Sequence, residues 1–392
     1  MPAFDAEERA LLHDAATAWF AGNYSTDHAR AQAGTDDGFD RAAWKAWAEM
    51  GWLGLALPEA AGGSEGGLTE LAILFAAAGG SLAQEPLLPC LGLAAPAIAE
   101  LGTSDQVAAL DAVARGERIL GFLHYEPTSG YARDHVETLA ERGGDGWVLT
   151  GAKAFALGAG SADALLVSAR IGSASGPVAL FEVPADAPGL ELTPAPALDG
   201  RRGAAARLAA VRLPEGALLG GVEDDRLAFI DRLLDRAGLL VCAEAAGAMT
   251  RAAAATTDYL KQRKQFGAPL STFQVIQHRL ADLQVRCEEA RAVTHSALEA
   301  QDAGAPNAAE AARQARVTVG EDARVVGAEA VQLHGGMGMT EELAAGRFYK
   351  RLVMLEALFG DGDWHLERLA ADIDVSALAE AAARAHLATA EA

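Results

Sequence analysis

Two long helical patterns in the C-terminal half of the chain meet at a short break, and this break constrains the fold more than any other stretch. A helical pattern runs into Arg263, stops at Gly267 and Pro269, and restarts with apolar residues at helical spacing from Ile276. A glycine and a proline this close together end a helix and favour a tight turn. The sequence therefore predicts two helices that meet at a rigid corner.

The corner carries groups that suit a phosphate. Arg263 and Lys264 stand at the end of the first helix, and Ser271 or Thr272 can cap the second. Free N–H groups at a helix start, beside a guanidinium, attract a phosphate group. A solvated basic corner between bundle helices explains the same residues, so the pattern alone leaves both interpretations open.

Length, composition and charge narrow the kinds of protein that this chain can be. The chain has 392 residues, of which 51% are hydrophobic, so it can bury a large core. A formal charge of -22 argues against nucleic acid as a partner, because a polyanion is bound by lysine and arginine.

Cys90, Cys242 and Cys287 lie far apart and are expected as reduced core thiols, with no metal site. Without a signal peptide or a membrane-length apolar run, a cytoplasmic protein is expected.

The residue pattern changes twice along the chain and divides it into three segments. Residues 1–118 show helical patterns, residues 119–222 short strand-like runs with a hairpin signal at 143–146, and residues 223–392 long alanine-rich helical patterns. The expected fold class is α+β, with an N-terminal helical domain, a middle antiparallel β-barrel or sandwich and a C-terminal four-helix bundle. Helices are expected over about 6–20, 39–50, 67–78, 90–101, 105–116, 225–264, 272–302 and 307–334, and after Asp361.

A glycine-rich stretch follows the helix predicted over 307–334. It runs from Gln332 to Gly338 and includes Gly335 and Gly336. Glycine lets a backbone approach a ligand where a Cβ atom would clash. Alone, such a stretch is more often a helix C-cap than a cofactor loop.

Both stretches resemble signatures of the acyl-CoA dehydrogenase family. The Arg-Lys-Gln-Phe-Gly run at 263–267, with Phe273-Gln274 after it, resembles one signature, and Gln332 with Gly335-Gly336 resembles the Gln-x-x-Gly-Gly-x-Gly motif. The order of helical, β and helical segments is also the architecture of that family. The resemblance thus covers essentially the whole chain and implies an FAD-dependent enzyme.

The resemblance also implies which residues hold FAD. In the family, the adenine and pyrophosphate are usually held across a subunit interface, and the matching positions are Arg263, Phe266, Phe273, Gln274, Gln332, Gly335 and Gly336. The flavin side belongs to the β domain, where Tyr125, Gly130 and Phe155 match. Two departures stand beside them: Tyr131-Ala132 replaces Ser-Asp, and Leu157 replaces a threonine that hydrogen-bonds flavin N5.

A carboxylate base ahead of the last helix is a further implication of the resemblance. Counting from Gln332 without gaps puts Phe359 at its position, whereas counting back from the final helix puts Asp361 there. Asp361 is the candidate catalytic base, and an acidic first turn that stabilises the helix dipole explains it equally well. Some relatives place the base where this chain has Ala237, and Glu244 is interpreted as structural.

The activity implied is dehydrogenation of an acyl-CoA thioester to the trans-2-enoyl-CoA, with electrons passed to an electron-transfer flavoprotein. Two alternatives stay open: a flavin oxidase of nitroalkane-oxidase type with Asp as base, and a non-catalytic subunit that completes the FAD site of a partner. The runs at 124–127 and 358–363 look closest to the small subunit of pimeloyl-CoA dehydrogenase and related heteromeric bacterial enzymes. A homo-oligomer and a heterotetramer with a second acyl-CoA dehydrogenase subunit are therefore both expected.

Overall fold

A computed structural model describes residues 4–222 and 224–371, and its N-terminal part is helical, as predicted. The helices are α1 (Ala6–Asn23), α2 (Thr26–Ala33), α3 (Arg41–Glu49), α4 (Leu68–Gly80), a π-helical segment (Leu88–Ala94), α5 (Ala95–Leu101), α6 (Ser104–Ala108) and α7 (Asp111–Ala114). Helix α2 is absent from the prediction, although Ser25 signals it by accepting the His28 N–H at 3.1 Å as its N-cap. The helix predicted over 105–116 is divided into α6 and α7.

The middle part forms one sheet. Its strands are β1 (Leu120–Leu123), β2 (Leu139–Gly143), β3 (Gly146–Leu157), β4 (Ala164–Ile171), β5 (Val178–Pro184), β6 (Leu190–Pro196), β7 (Arg202–Pro214) and β8 (Leu218–Leu219). They follow the order β6-β7-β3-β2-β4-β5-β8, with β1 also paired to β4. The predicted hairpin is confirmed, since Gly143 of β2 lies opposite Gly146 of β3 in antiparallel register.

The predicted β-sheet middle domain is confirmed, but the antiparallel barrel or sandwich expected for it needs correction. Strands β1 and β2 both pair with β4 in parallel, and in the described part of the chain no pairing joins the end strands β6 and β8. The sheet is therefore mixed and open. Short apolar runs identify strands, but they do not carry the identity or direction of the partner strand.

The C-terminal part is a helical bundle. Its helices are α8 (Leu227–Gln262), α9 (Gln274–Asp302), α10 (Ala308–His334), α11 (Ala345–Ala357) and α12 (Gly362–Ala371). A helical bundle is found as predicted, but its fourth member is α11, which packs on α8 and α10, whereas the predicted fourth helix, α12, packs on α10. Helix α11 is the member that the sequence prediction lacked. Residues 372–392, which belong to the predicted bundle domain, lie outside the described residues.

The N-terminal helices attach to the bundle through a close contact between α4 and α8. A Cβ atom added to Gly247 would lie 1.9 Å from the Ala76 carbonyl oxygen, and one on Gly79 would lie 2.1 Å from the Glu244 carbonyl oxygen. Only glycine allows the two backbones to approach this closely. This contact positions the helices that border the cleft described below.

Three smaller expectations concern the chain as a whole. Cys90, Cys242 and Cys287 are buried and free, as predicted. Among the helices in residues 4–222 and 224–371, none combines the length and the apolar character needed to cross a membrane. The domain limits after residues 118 and 222 stay predictions.

Candidate active site

The turn between α11 and α12 is held by two buried arginines. Arg316 of α10 donates hydrogen bonds of 2.8–3.3 Å to the carbonyl oxygens of Leu355, Glu356, Leu358 and Gly360. Arg133 donates to the Phe359 carbonyl oxygen at 3.0 Å. Phe359 and Gly360 both have positive φ, 63° and 113°, so the turn is sharp and Phe359 is strained. The hydrogen bonds from the two arginines hold the turn in this strained conformation.

This turn closes one side of a cleft of about 270 Å³ between the sheet, the π-helical segment and the bundle. The lining residues are Leu88, Pro89, Leu93, Phe122, His124, Tyr125, Gly130, Tyr131, Ala154, Phe155, Ala156, Leu157, Leu234, Met354, Ala357, Leu358 and Phe359. The three residues predicted for the flavin side, Tyr125, Gly130 and Phe155, are all among them. The walls are apolar and aromatic, which is the character of a small-molecule site.

Two polar side chains of the cleft differ in what they can still bind. The Nε2 of His124 lies 2.9 Å from the Arg133 carbonyl oxygen, and its Nδ1 lies 2.9 Å from Ser168 Oγ. Because a carbonyl only accepts, Nε2 donates and Nδ1 accepts from Ser168. Burial, with Lys153 nearby, lowers the pKa of His124 to about 3, so the ring is neutral. The hydroxyl of Tyr125 is buried next to Arg133, and burial raises its pKa. In the described part of the chain no acceptor lies within hydrogen-bond distance of this hydroxyl, so its proton can be donated to a ligand.

A buried ion pair supports the loop that carries Tyr125 and Gly130. Lys153 Nζ lies 2.7 Å from Glu126 Oε1, and the same oxygen accepts from Thr138 Oγ1 at 2.7 Å. Both side chains are almost fully buried, and burial lowers the pKa of Lys153 to about 8 even though Glu126 raises it. This pair ties the loop to β3 beneath the cleft.

The candidate base lies at the edge of the cleft rather than on its wall. Asp361 Oδ1 accepts the Trp364 N–H at 2.9 Å and so acts as the N-cap of α12. The pKa of Tyr131, which lines the cleft, is raised mainly by the burial of Tyr131 and secondly by the charge of Asp361. Among the described residues that line the cleft there is no Asp or Glu. The geometry thus supports capping, and the role of Asp361 as base stays a prediction.

The residues predicted to hold the adenine lie at a solvent-exposed corner. Arg263 is followed by a short hairpin, β9 (Lys264–Gln265) and β10 (Ala268–Pro269), whose turn residues Phe266 and Gly267 have φ of 53° and 81°. Two positive φ values identify a type I′ turn. The Phe266 side chain is 91% exposed, and its ring is 6.2 Å from the Phe273 ring, edge to face. An aromatic ring held outward at a strained position is available to a partner.

The glycine-rich turn lies beside this corner. The Tyr259 hydroxyl donates to the His334 carbonyl oxygen at 3.3 Å, and their rings stack at 4.4 Å. Tyr259 precedes Arg263 by one helical turn, and His334 directly precedes Gly335. A Cβ atom on Gly335 or Gly336 would meet no described residue within 4 Å, so this backbone is open to a ligand. Gln274 and Gln332 are exposed at the same end of the bundle.

The two predicted halves of the FAD site are far apart within one chain. Leu234 of α8 lines the cleft, whereas Arg263 directly follows the end of the same helix. At 1.5 Å per residue, the helix separates them by about 40 Å. Each half is assembled by the fold, but one chain does not bring the halves together. No extended FAD bridges such a distance.

Several residues that shape the site were missing from the sequence prediction. Arg133 and Arg316 hold the α11–α12 turn, and the position of Arg316 at helical spacing from Ala312, Val319 and Ala323 was the available signal. Glu244 is buried and lies 2.6 Å from Arg351 of α11, which confirms its structural interpretation.

Comparisons with known proteins agree over the whole fold. Residues 6–117, 121–211 and 227–373 match the N-terminal, middle and C-terminal domain models of acyl-CoA dehydrogenase. The acyl-CoA dehydrogenase FadE12 of Mycobacterium tuberculosis is 34% identical over 351 residues, covering 86% of this chain and 88% of the relative.

Solved structures give the same result. The Tcur3481-Tcur3483 steroid ACAD variant is 34% identical with a TM-score of 0.83, covering 96% of this chain and 99% of that chain. The ChsE4-ChsE5 complex from Mycobacterium tuberculosis is 25% identical with a TM-score of 0.84, covering 95% and 98%. With matches along all three segments, the chain belongs to the acyl-CoA dehydrogenase family, whose members are oxidoreductases that act on the CH–CH bond of acyl-CoA thioesters.

Proposed function

We propose that this chain forms the flavin cleft of an FAD-dependent enzyme that converts an acyl-CoA thioester to its trans-2-enoyl-CoA and passes electrons to an electron-transfer flavoprotein. Tyr125, Gly130 and Phe155 meet the α11–α12 turn at one cleft, and this convergence is the observation that supports the function most. The apolar remainder of the wall suits an acyl chain.

The residues present fit the proposed cofactor. Phe155 offers a partly exposed aromatic ring against which a flat flavin ring can stack, and the unpartnered Tyr125 hydroxyl can donate to it. At the corner, Arg263 offers a guanidinium and Gly335 and Gly336 an open backbone for the pyrophosphate. FAD would supply the acceptor for the hydride that leaves the substrate.

The cofactor site is proposed to be completed by a second chain. The cleft and the Arg263 corner lie about 40 Å apart along α8, so each FAD would be shared between the cleft of one chain and the corner of another. Phe266, exposed on its strained turn, supports contact with a partner at this corner. A homo-oligomer and a heterotetramer both satisfy this requirement, and one structural relative is a complex of two named proteins.

A second candidate function is that of a subunit whose partner carries the catalytic base. Two observations favour it: Asp361 caps α12, and no carboxylate is found among the described residues of the cleft wall. The nitroalkane-oxidase alternative depends on Asp361 as base and is weakened by the same capping contact.

The test is to purify the chain alone and co-expressed with the neighbouring reading frame, and to record the visible spectrum of each preparation. We expect yellow protein in at least one of them, and anaerobic bleaching of the flavin by members of an acyl-CoA panel. Colourless protein from flavin-replete cells in both preparations contradicts the function. Yellow protein that is not bleached by acyl-CoA but consumes oxygen with a nitroalkane would support the oxidase.

A further inference from the structure

A small polar pocket adjoins the apolar cleft. The pocket shares Leu88, Pro89 and Leu157 with the cleft, and its volume of about 20 Å³ fits a single oxygen-bearing group. Its other lining residues are Asp37, Gly38, Phe39, Gln84, Glu85, Pro86, Gly158, Ser161, Arg201 and Arg202. The two cavities are therefore adjacent, with Leu88, Pro89 and Leu157 at their common boundary.

Two deeply buried side chains of this pocket keep unpartnered polar atoms. Gln84 is 7% exposed, and its Nε2 donates to the Leu82 carbonyl oxygen at 2.7 Å, so its Oε1 is the free amide atom. Arg201 is 6% exposed, and its Nη2 has no hydrogen-bond partner among residues 4–222 and 224–371. A buried donor or acceptor without a hydrogen bond lowers the stability of the fold. A ligand group that pairs with it removes this cost, and binding is favoured accordingly.

The acidic groups of the pocket are already engaged. Glu85 accepts from the Tyr24 hydroxyl at 2.9 Å, and Asp37 accepts two hydrogen bonds of 2.8 Å from Arg41. Among the described residues of this pocket, Arg201 Nη2 and Gln84 Oε1 are therefore the buried donor and acceptor without a partner, and Arg202 is a further cation in its lining.

The charge of Arg201 is balanced within the fold. Its Nε lies 2.7 Å from Asp199 Oδ2, and its Nη1 lies 3.3 Å from Glu244 Oε1. Both carboxylates are shared with the buried Arg351, at 2.7 Å and 2.6 Å. With two arginines facing two carboxylates, Arg201 acts as a hydrogen-bond donor rather than as an uncompensated cation.

We propose, on the basis of the acyl-CoA function above, that this pocket recognises a hydroxyl group near the distal end of the acyl chain. A hydroxyl accepts from Arg201 Nη2–H and donates to Gln84 Oε1, and so satisfies both atoms. A ketone leaves Gln84 unpaired. A carboxylate is attracted by Arg202, which also lines the pocket, but places an oxygen against Gln84 Oε1.

The test measures dissociation constants by calorimetry for the protein as it is isolated, with its partner if it requires one. The probes are trans-enoyl-CoA thioesters from hexenoyl to dodecenoyl, each with a methyl, hydroxyl, ketone or carboxylate terminus. Enoyl products are used because they bind without turnover. At the best chain length we expect the hydroxyl form to bind about tenfold more tightly than the methyl form.

A pair of variants assigns the preference to this pocket. Gln84→Met removes the acceptor at nearly constant size and should bring the two forms to equal affinity, whereas Gln314→Met, at an exposed glutamine of α10, should keep the tenfold ratio. Arg201→Lys, with its unfolding temperature measured alongside, should also reduce the ratio.

The outcomes separate the two proposals. Equal binding of the methyl and hydroxyl forms at every length means that the pocket holds only water and overturns the inference, with the acyl-CoA function intact. A stronger preference for ketone or carboxylate, or a preference that survives Gln84→Met, also overturns it. If no thioester binds, the acyl-CoA function itself fails and the inference fails with it.

Discussion

Asp361 shows how one side chain can satisfy a functional and a structural pattern at the same time. As N-cap of α12 it accepts one backbone hydrogen bond, which asparagine can also do. We predict that Asp361→Asn keeps the free energy of unfolding within about 0.5 kcal/mol and keeps the turnover of the assembled enzyme, whereas Asp361→Ala loses about 1 kcal/mol. Chemical unfolding and anaerobic flavin reduction measure the two effects.

The asparagine variant also tests the base. A charge-neutral asparagine cannot take up the α-proton of a thioester, so loss of turnover in Asp361→Asn with unchanged stability would assign the base to this residue. Retained turnover places the base elsewhere, as the uncharged wall of the cleft favours. Exposed Asp363→Asn, on the same helix, is the matched control.

His365 is a buried histidine whose two ring nitrogens both lack hydrogen-bond partners within the part of the chain that the structure describes. Burial, followed by the charge of nearby Arg316 and Arg133, lowers its pKa from 6.5 to about 2. We predict that His365→Phe raises the free energy of unfolding at neutral pH by about 1 kcal/mol, because it removes two unsatisfied polar atoms from the interior. Urea unfolding near neutral pH measures this change.

The same substitution should change the pH dependence of stability. Below pH 6.5 the unfolded chain protonates His365 while the folded chain does not. The stability tied to the neutral ring is therefore complete above pH 6.5 and is lost as the pH falls toward the folded pKa, by at most about 1.4 kcal/mol per pH unit. His365→Phe should lack this loss relative to the natural chain. Equal profiles would contradict it, and exposed His13→Phe is the control.

At the scale of elements, the contact between α4 and α8 depends on glycine. We predict that Gly247→Ala lowers the free energy of unfolding by about 1–3 kcal/mol, because its Cβ atom would meet the backbone of α4 and force the helices apart. The matched control is Gly22→Ala in α1, where a Cβ atom meets nothing within 4 Å. There, the better helix propensity of alanine should stabilise the chain by up to about 1 kcal/mol. Similar effects of the two variants would argue against the contact.

Element identity was predicted better than element pairing. Long periodic helices such as α8, α9 and α10 follow from alanine content and helical spacing, which are local properties. Helix α2 and helix α11 are short or follow a glycine-rich turn, and so they escaped the prediction. The parallel pairing of β1 and β2 with β4 depends on contacts between strands far apart in sequence, which no local pattern contains.

At the scale of the whole molecule, the exposed corner predicts an assembly. Phe266→Asn should leave the stability of a single chain within about 0.5 kcal/mol, since the ring is 91% exposed and asparagine tolerates the positive φ. It should nevertheless lower the ratio of flavin to protein and weaken the oligomer, because a partner would lose the aromatic contact. Absorbance and light scattering measure these properties.

Two further variants test whether the loss of flavin and of assembly is specific to the Arg263 corner. Arg263→Gln should lower flavin content in the same way, whereas Leu11→Gln, at an exposed leucine of α1, should change neither flavin content nor molecular mass. Unchanged flavin and mass in both corner variants would mean that the corner faces solvent in the assembled protein.

The sequence by itself determined the order of helical and β segments, the corner at Arg263 and the glycine turn at Gly335, because these depend on local conformation and on motif residues close together in the chain. Only the tertiary structure decided that Asp361 caps a helix, that Tyr125 and Phe155 share a cleft with Phe359, and that Gln84 and Arg201 keep free polar atoms beside it. Those facts arise from contacts between distant segments. Packing, rather than local propensity, sets which buried groups find partners.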